Sequence, residues 1–330
     1  MAGKFFNPET ATYLDPTKDR RVVYLTGGHS GIGWFTALHL YLHGYVVYLA
    51  GRTESKVTSA IEKIKAEAEK RVKESKDKEV AQHFGELHFS YIDLLDLSTV
   101  SAAAQKFLKS ESKLHILINN AGLMAVPFEE TKDGFEIQYQ VNFVSHFLLT
   151  LLLLPALDAV AKEGKVEPRV VNLSSFGHNF MYKDFKPEDP INKAPNYVYS
   201  WVRYGKAKAA QIQISQELAK RHPEILSLSV HPGFIMSTGL YTPSKSMFGV
   251  GLFSGVVKPL VNTSEEDGAT ASLRAALDTT LTAKKDSGKY LVTGGAFGTP
   301  TKLARSVAGS KATWDWTYDQ LQKKGFAVEA

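Results

Sequence analysis

Short aliphatic and β-branched runs recur along the chain, separated by longer stretches in which apolar residues return every three or four positions. RVVYL (21–25), YVVYLA (45–50), LHFSYI (87–92), LHILIN (114–119), RVVNL (169–173) and LSLSV (226–230) have the length and composition of buried strands. Between the second and third, Val57, Ile61, Ile64, Ala68 and Val72 recur at helical spacing. The charge run that closes this helix, near KESKDKE, reads as a solvated face rather than a binding tail. Strand alternating with helix predicts an α/β fold of the doubly wound, Rossmann type, with a parallel sheet, right-handed crossovers and helices on both faces. No repeat, low-complexity linker or break in composition divides the chain. A single domain is therefore expected over 21–295, with extensions at 1–20 and 296–330.

Two stretches are strongly apolar. FLLTLLLLPAL (147–157) is shorter than the ~20 residues a bilayer span takes, and predicts a buried helix broken late by Pro155. MFGVGLFSGVV (247–257) is also too short to span and is rich in glycine. The opening MAGKFFNPETATYLDP has no continuous apolar core and does not read as a secretory signal.

Composition narrows the chemistry. Hydrophobic residues at 44% and charged ones at 22% are ordinary for a soluble globular protein. There is no cysteine, which excludes disulfides, thiolate zinc sites and thiol nucleophiles and fits a reducing compartment. A net charge of +5 raises the question of nucleic acid or an anionic membrane. The basic residues are interleaved with acidic ones, however, so a mixed solvated surface is expected and no nucleic-acid partner.

The unusual residues sit at strand ends. TGG (26–28) follows the first predicted strand, GR (51–52) the second and Asp93 the third; NNAG (119–122) overlaps the end of the fourth, SS (174–175) follows the fifth and HPG (231–233) the sixth. In a parallel sheet these ends share one edge, the edge where open α/β sheets bind ligands. TGGHSGIG (26–33) joins a strand to a helix, so that backbone N–H groups and a helix N-terminus meet a pyrophosphate. Gly27, His29, Ser30, Gly31, Ile32 and Gly33 are the candidate contacts. An ordinary βα turn is the plainer reading of such a loop, but here strand, helix and downstream strand are all in place.

The glycine spacing is GxxxGxG rather than GxGxxG, and Trp34 stands where GxxGxxG would need its third glycine. With NNAG, a serine after the fifth strand, YxxxK and a PG turn in this order, the chain resembles the short-chain dehydrogenase/reductase superfamily in its classical form, over roughly 21–291. The second strand ends in Ala50-Gly51-Arg52 with no carboxylate before Glu54. An acidic residue there would bind a ribose 2′-OH, whereas an arginine fork suits a 2′-phosphate, so the expected cofactor is NADP(H). The resemblance further implies adenine contacts from Asp93 and Leu94, and an adenosine wall from Asn120, Ala121 and Gly122. It places the nicotinamide end by Pro232, Gly233, Ile235, Ser237 and Thr238.

Reducing a carbonyl requires a proton at oxygen as hydride reaches carbon. A phenol can donate it, but its usual pKa of about 10 is high for neutral pH. An ammonium one helical turn away favours the phenolate; at ~5 Å and an effective dielectric of ~20 the attraction is roughly 3 kcal/mol. Three pairs have this spacing: Tyr182 with Lys186, Tyr204 with Lys208, and Tyr241 with Lys245. Only Tyr204 opens a Pro-free helical pattern, YGKAKAAQIQISQELAKR, and only in a helix do residues four apart face each other. By resemblance Tyr204 is the acid/base, and Lys208 lowers its pKa and also binds the cofactor ribose. Ser175 hydrogen-bonds the substrate oxygen, with Ser174 structural, and Asn142 completes a proton relay. His231 reads as structural.

The span from Ser175 to Tyr204 is longer than the family's usual dozen residues, making 176–203 an insertion and 237–263 an apolar substrate flap. Phe176, Phe180, Tyr182, Phe185, Tyr197, Tyr199 and Trp201 would wall a pocket for a small hydrophobic ketone, aldehyde or alcohol, or else pack a small core of the insertion. These features resemble the retinol-dehydrogenase-like and WW-domain-oxidoreductase-like branch, which includes fungal members. A cytoplasmic location is expected, and the resemblance implies peripheral contact with membranes or lipid droplets as an alternative. Two other functions stay open at this point: a catalytically silent dinucleotide-binding regulator, and an extended-type epimerase or dehydratase, which the glycine spacing disfavours. Oligomeric state is not legible.

Overall fold

The computed structural model describes residues 5–75, 83–181, 183, 197–235 and 263–328. In chain order the main elements are β1 (Val22–Thr26), α1 (Gly31–Leu42), β2 (Val46–Gly51), α2 (Glu54–Glu74), β3 (Glu86–Tyr91) and α3 (Leu97–Ser110). Then follow β4 (Ile116–Asn119), α4 (Ile137–Glu163), β5 (Arg169–Leu173), α5 (Tyr197–Arg221) and β6 (Leu226–Val230). The chain ends with α6 (Glu265–Leu277), α7 (Ala283–Asp286), β7 (Tyr290–Leu291), β8 (Phe297–Gly298) and α8 (Val307–Lys323).

The strands form one sheet in the order β3-β2-β1-β4-β5-β6-β7-β8, parallel except for the antiparallel pair β7 and β8. This is the doubly wound architecture expected. Every residue of β1, β4, β5 and β6 is buried, because helices cover both faces. Successive residues serve opposite cores: Val22 and Tyr24 pack on the side of α3, α4 and α5, while Val23 and Leu25 pack on the side of α1, α2 and α6. Strands β7 and β8 went unread because two residues each leave no alternation to detect.

Helix α4 departs from expectation. Pro155 lies inside it, exposed, and the helix runs on to Glu163. The proline ring faces solvent, and packing of the opposite face through Phe147, Leu151 and Leu154 holds the helix across it. The helix is also longer than FLLTLLLLPAL alone, 27 residues and apolar enough to cross a bilayer by composition, but 78% of its 18-residue apolar stretch is buried within the fold. Residues 296–330 contribute β8 and a helix whose Trp314 meets Phe147 edge to face at 4.9 Å in the main core. Most of the flap, with Ser237, Thr238 and the pair Tyr241 and Lys245, lies outside the described residues, as does the pair Tyr182 and Lys186.

Candidate active site

The strand order reverses between β1 and β4, and the glycine loop opens there. Thr26, the last residue of β1, takes hydrogen bonds on Oγ1 from the backbone N–H of Asn120 and of Ala121, both at 3.0 Å. With two donors on its oxygen, the Thr26 hydroxyl gives its own proton to His146 Nε2, 2.9 Å away. Burial pushes the pKa of His146 down to about 3, so the ring is neutral; its Nδ1–H then donates to the Asn142 carbonyl at 3.3 Å. The Asn120 side chain donates to the Thr26 carbonyl at 2.8 Å, locking NNAG onto the glycine loop.

The loop is built to let something approach its backbone. A Cβ on Gly33 would run into the Gly27 carbonyl oxygen and the Asn120 amide. Ser30 precedes α1 without making a side-chain cap, leaving the first-turn N–H groups of that helix open to an anion. Beside the end of β2, the Nδ1 atom of His29 is buried with no hydrogen-bond partner, and burial, aided by Lys56, lowers the pKa of this ring. Arg52 is exposed next to it and forms no ion pair among the described residues. A cradle closed to any Cβ, open helix N–H groups and an orphaned polar atom fit a dinucleotide.

The structure brings Ser175, Tyr204, Lys208, Asn142 and Gly122 together. Helix α5 carries Tyr204 and Lys208 on one face, with Lys208 Nζ 5.7 Å from the Tyr204 ring centroid. Lys208 donates to the Leu173 carbonyl at 2.9 Å, and burial pushes its pKa down to about 8. Ser174 Oγ donates to the Lys208 carbonyl at 2.8 Å, pinning the helix to the end of β5. Ser175 begins a short 3-10 turn (Phe176–Phe180), where its Oγ accepts the Gly177 N–H at 3.0 Å. That leaves the Ser175 proton free to be donated. Tyr204 is 2% exposed and packs with Met124, Ala125 and Trp201.

Asn142 lies in a π-helical turn (Gln140–Val144) inside α4, a distortion frequent at functional sites. Its amide clasps Leu123 both ways, donating to the carbonyl and accepting from the N–H, each at 2.8 Å. A Cβ on Gly122 would sit 2.7 Å from Asn142 Oδ1 and 3.5 Å from Lys208 Nζ, which shows how closely the three meet. The Asn142 carbonyl also accepts from the Gln211 amide.

Other predicted residues take their places at this edge. His231 Nδ1 accepts from the N–H of Phe176 at 3.2 Å and of Gly233 at 3.3 Å, and burial lowers its pKa to about 4. It thus ties the Ser175 turn to the Pro232-Gly233 turn. Ile235 packs on Gly268 of α6 beside Ile32, joining the PG turn to the glycine loop. Asp93 uses one carboxylate oxygen on the Leu95 N–H at 3.0 Å, and the Leu94 carbonyl accepts from Ser145 Oγ at 2.7 Å.

Sequence reasoning missed Thr26, His146, Gln211 and Gly177. Gln211 follows Lys208 by about one helical turn and Gly177 follows Ser175 by two residues, so helical spacing and a glycine beside the serine were the available signals.

Residues 21–185 match the short chain dehydrogenase family. The short-chain dehydrogenase/reductase drtF of Aspergillus calidoustus is 34% identical over 329 residues, covering 94% of this chain and 96% of that protein. The chain is a short-chain dehydrogenase/reductase. Retinol dehydrogenase 12 of Mus musculus is 35% identical over 275 residues, 82% of this chain and 77% of the relative, and this chain belongs with the retinol-dehydrogenase-like branch. In fold it matches the 3-ketoacyl-(acyl-carrier-protein) reductase of Brucella melitensis in complex with NADH, with a TM-score of 0.60 and 21% identity, covering 83% of this chain and 97% of that one. The family comprises NAD(P)(H)-dependent oxidoreductases acting on CH–OH or C=O groups.

Proposed function

We propose that this short-chain dehydrogenase/reductase uses NADP(H) to interconvert a hydrophobic ketone or aldehyde and its alcohol, with Tyr204 as acid and base. The observation that carries this reading is the packing of the Tyr204 ring against Gly177, beside the free Ser175 hydroxyl and in front of the buried Lys208.

The glycine loop from Gly27 to Gly33 would hold the pyrophosphate, Arg52 and His29 the phosphorylated ribose, and Asp93 and Leu94 the adenine. Asn120, Ala121 and Gly122 would line the adenosine side, with Pro232, Gly233, Ile235, Ser237 and Thr238 at the nicotinamide end. When bound, the cofactor supplies or accepts the hydride. Ser175 donates a hydrogen bond to the substrate oxygen and orients it, keeping its own proton. Tyr204 gives its phenolic proton to that oxygen in reduction and recovers it in oxidation. Lys208, as ammonium, favours the phenolate and donates to the cofactor ribose. Asn142 serves as a positioning residue, because its amide is committed to both backbone groups of Leu123.

Aromatic side chains around this edge support a hydrophobic substrate. Phe176 stacks at a tilt on Phe234, 5.2 Å between centroids, and Phe180 meets Trp201 edge-on at 5.4 Å, with Phe176 and Phe180 both exposed. The test is NADPH oxidation against carbonyl compounds of increasing apolar size. The expected outcome is a kcat/KM that climbs with apolar area; a flat series, or no turnover with any carbonyl, overturns the assignment.

A further inference from the structure

At the opposite edge of the sheet, where the strands begin, lies a cavity of about 280 Å³ walled in part by Arg21, Tyr45, His115, Lys165, Arg169 and Thr282. A strand of five residues at ~3.3 Å per residue separates this edge from the glycine loop by roughly 17 Å. Arg169 is only 9% exposed, yet it forms no ion pair among the described residues. Its Nη1 donates to the Ala275 carbonyl near the end of α6, at 3.0 Å. A guanidinium withdrawn from water needs a counter-charge or a full set of acceptors, and a carbonyl at a helix C-terminus offers only a partial charge. A second observation points the same way. Thr282 Oγ1 is buried with no hydrogen-bond partner.

The rest of the wall sharpens the picture. Arg21 is already held by the Asp19 carboxylate, at 2.7 Å from Nη2. Glu167 lines the cavity too; its carboxylate accepts the Ala283 N–H at 2.8 Å, and it and Asp278 act on Arg169 electrostatically without reaching ion-pair distance. His115 accepts the Val22 N–H on Nδ1 at 3.0 Å, and burial keeps the ring neutral, leaving Nε2–H as its remaining donor. Lys165 and Arg169 are the two lining cations with no carboxylate at ion-pair distance among the described residues.

We propose that this cavity binds a small oxyanion, phosphate or a compact dicarboxylate, between Arg169, Lys165 and the Thr282 hydroxyl. The site is separate from the one that would hold the cofactor. The probes are inorganic phosphate and, separately, malonate, titrated calorimetrically at constant ionic strength set with chloride. Native and Arg52→Ala proteins should bind one or both anions saturably with equal affinity. Arg169→Met should weaken binding by about tenfold or more, and the more exposed Lys165→Ala by about two- to five-fold. If Arg169→Met fails to fold, Lys165→Ala and Thr282→Val carry the test, and both should weaken binding. Absence of saturable binding of either anion overturns the proposal. So does binding that Arg52→Ala abolishes while Lys165→Ala and Thr282→Val leave it intact, which would put the anion in the glycine loop.

Discussion

Gly177 lies so close to the ring of Tyr204 that a methyl group at position 177 would overlap the ring edge at Cε1, and it would sit 3.4 Å from Ser175 Oγ. The two side chains proposed to grip the substrate oxygen are therefore spaced by an absent side chain. Gly177→Ala should displace the ring of Tyr204 or the Ser175 turn. A displacement of about 1 Å costs on the order of 10² in rate. The expected outcome is a kcat reduced by about that factor, with the cofactor dissociation constant within a few-fold of native. Unchanged kcat would show that the close approach has no bearing on chemistry.

Tyr204→Phe keeps the ring that packs on Gly177 and Trp201 and removes only the hydroxyl. Fold and cofactor binding should persist, while single-turnover hydride transfer from NADPH to a reactive ketone falls by at least ~10²–10⁴, the usual worth of a general acid. Tyr182→Phe and Tyr241→Phe should leave that step nearly untouched. A Tyr204→Phe protein transferring hydride at the native rate, with Tyr182→Phe inactive, would reassign the acid.

Arg52→Asp replaces an exposed guanidinium at the end of β2 by a carboxylate beside the orphaned His29 nitrogen. Losing a charge-assisted pair and gaining repulsion should weaken NADPH binding by at least ~1.5–3 kcal/mol and shift preference toward NADH. Titration of the native and variant proteins with both cofactors is the measurement. Equal affinity of the native protein for NADH and NADPH would refute the NADP(H) assignment. The NADH-bound neighbour does not decide it, since at 21% identity it speaks to fold alone.

What was legible in the sequence was what local pattern encodes. Strands β5 and β6 fall on RVVNL and LSLSV because strands buried on both faces must be continuously apolar. The glycine loop was readable because its strand, turn and helix are contiguous. Pro155 misled because a local rule for helix interiors was overridden by tertiary packing on the other side of α4. Two contacts had no local signature at all. Gln211 reaches the Asn142 carbonyl across 69 positions, and Gly177 meets Tyr204 only once the 3-10 turn after β5 docks on α5. In the same way, nothing around Arg169 in the sequence marks it as a buried cation, because its surroundings come from the starts of separate strands and the end of α6.

Lys208 gives the last prediction, through its pKa of about 8 in place of the usual 10.5, a fall caused by burial. Between those two values the unfolded chain holds a proton that the folded protein has given up, so stability gained from this group rises with pH across that window. Below about 8 the folded state carries a buried charge at a cost of about 3 kcal/mol, taking ~1.4 kcal/mol for each pH unit. Lys208→Met should therefore be more stable than native at pH 7, by an amount that shrinks as pH rises toward 10. Denaturant melts of both proteins from pH 7 to 10 measure it. Activity runs the other way, because the ammonium that favours the Tyr204 phenolate is present below about 8 and lost above it. In the reductive direction kcat/KM should fall as pH climbs through 8, and Lys208→Met should lack both that limb and most of the turnover. If the stability gap between the two proteins is the same at pH 7 and pH 10, the buried ammonium is not titrating where its surroundings place it.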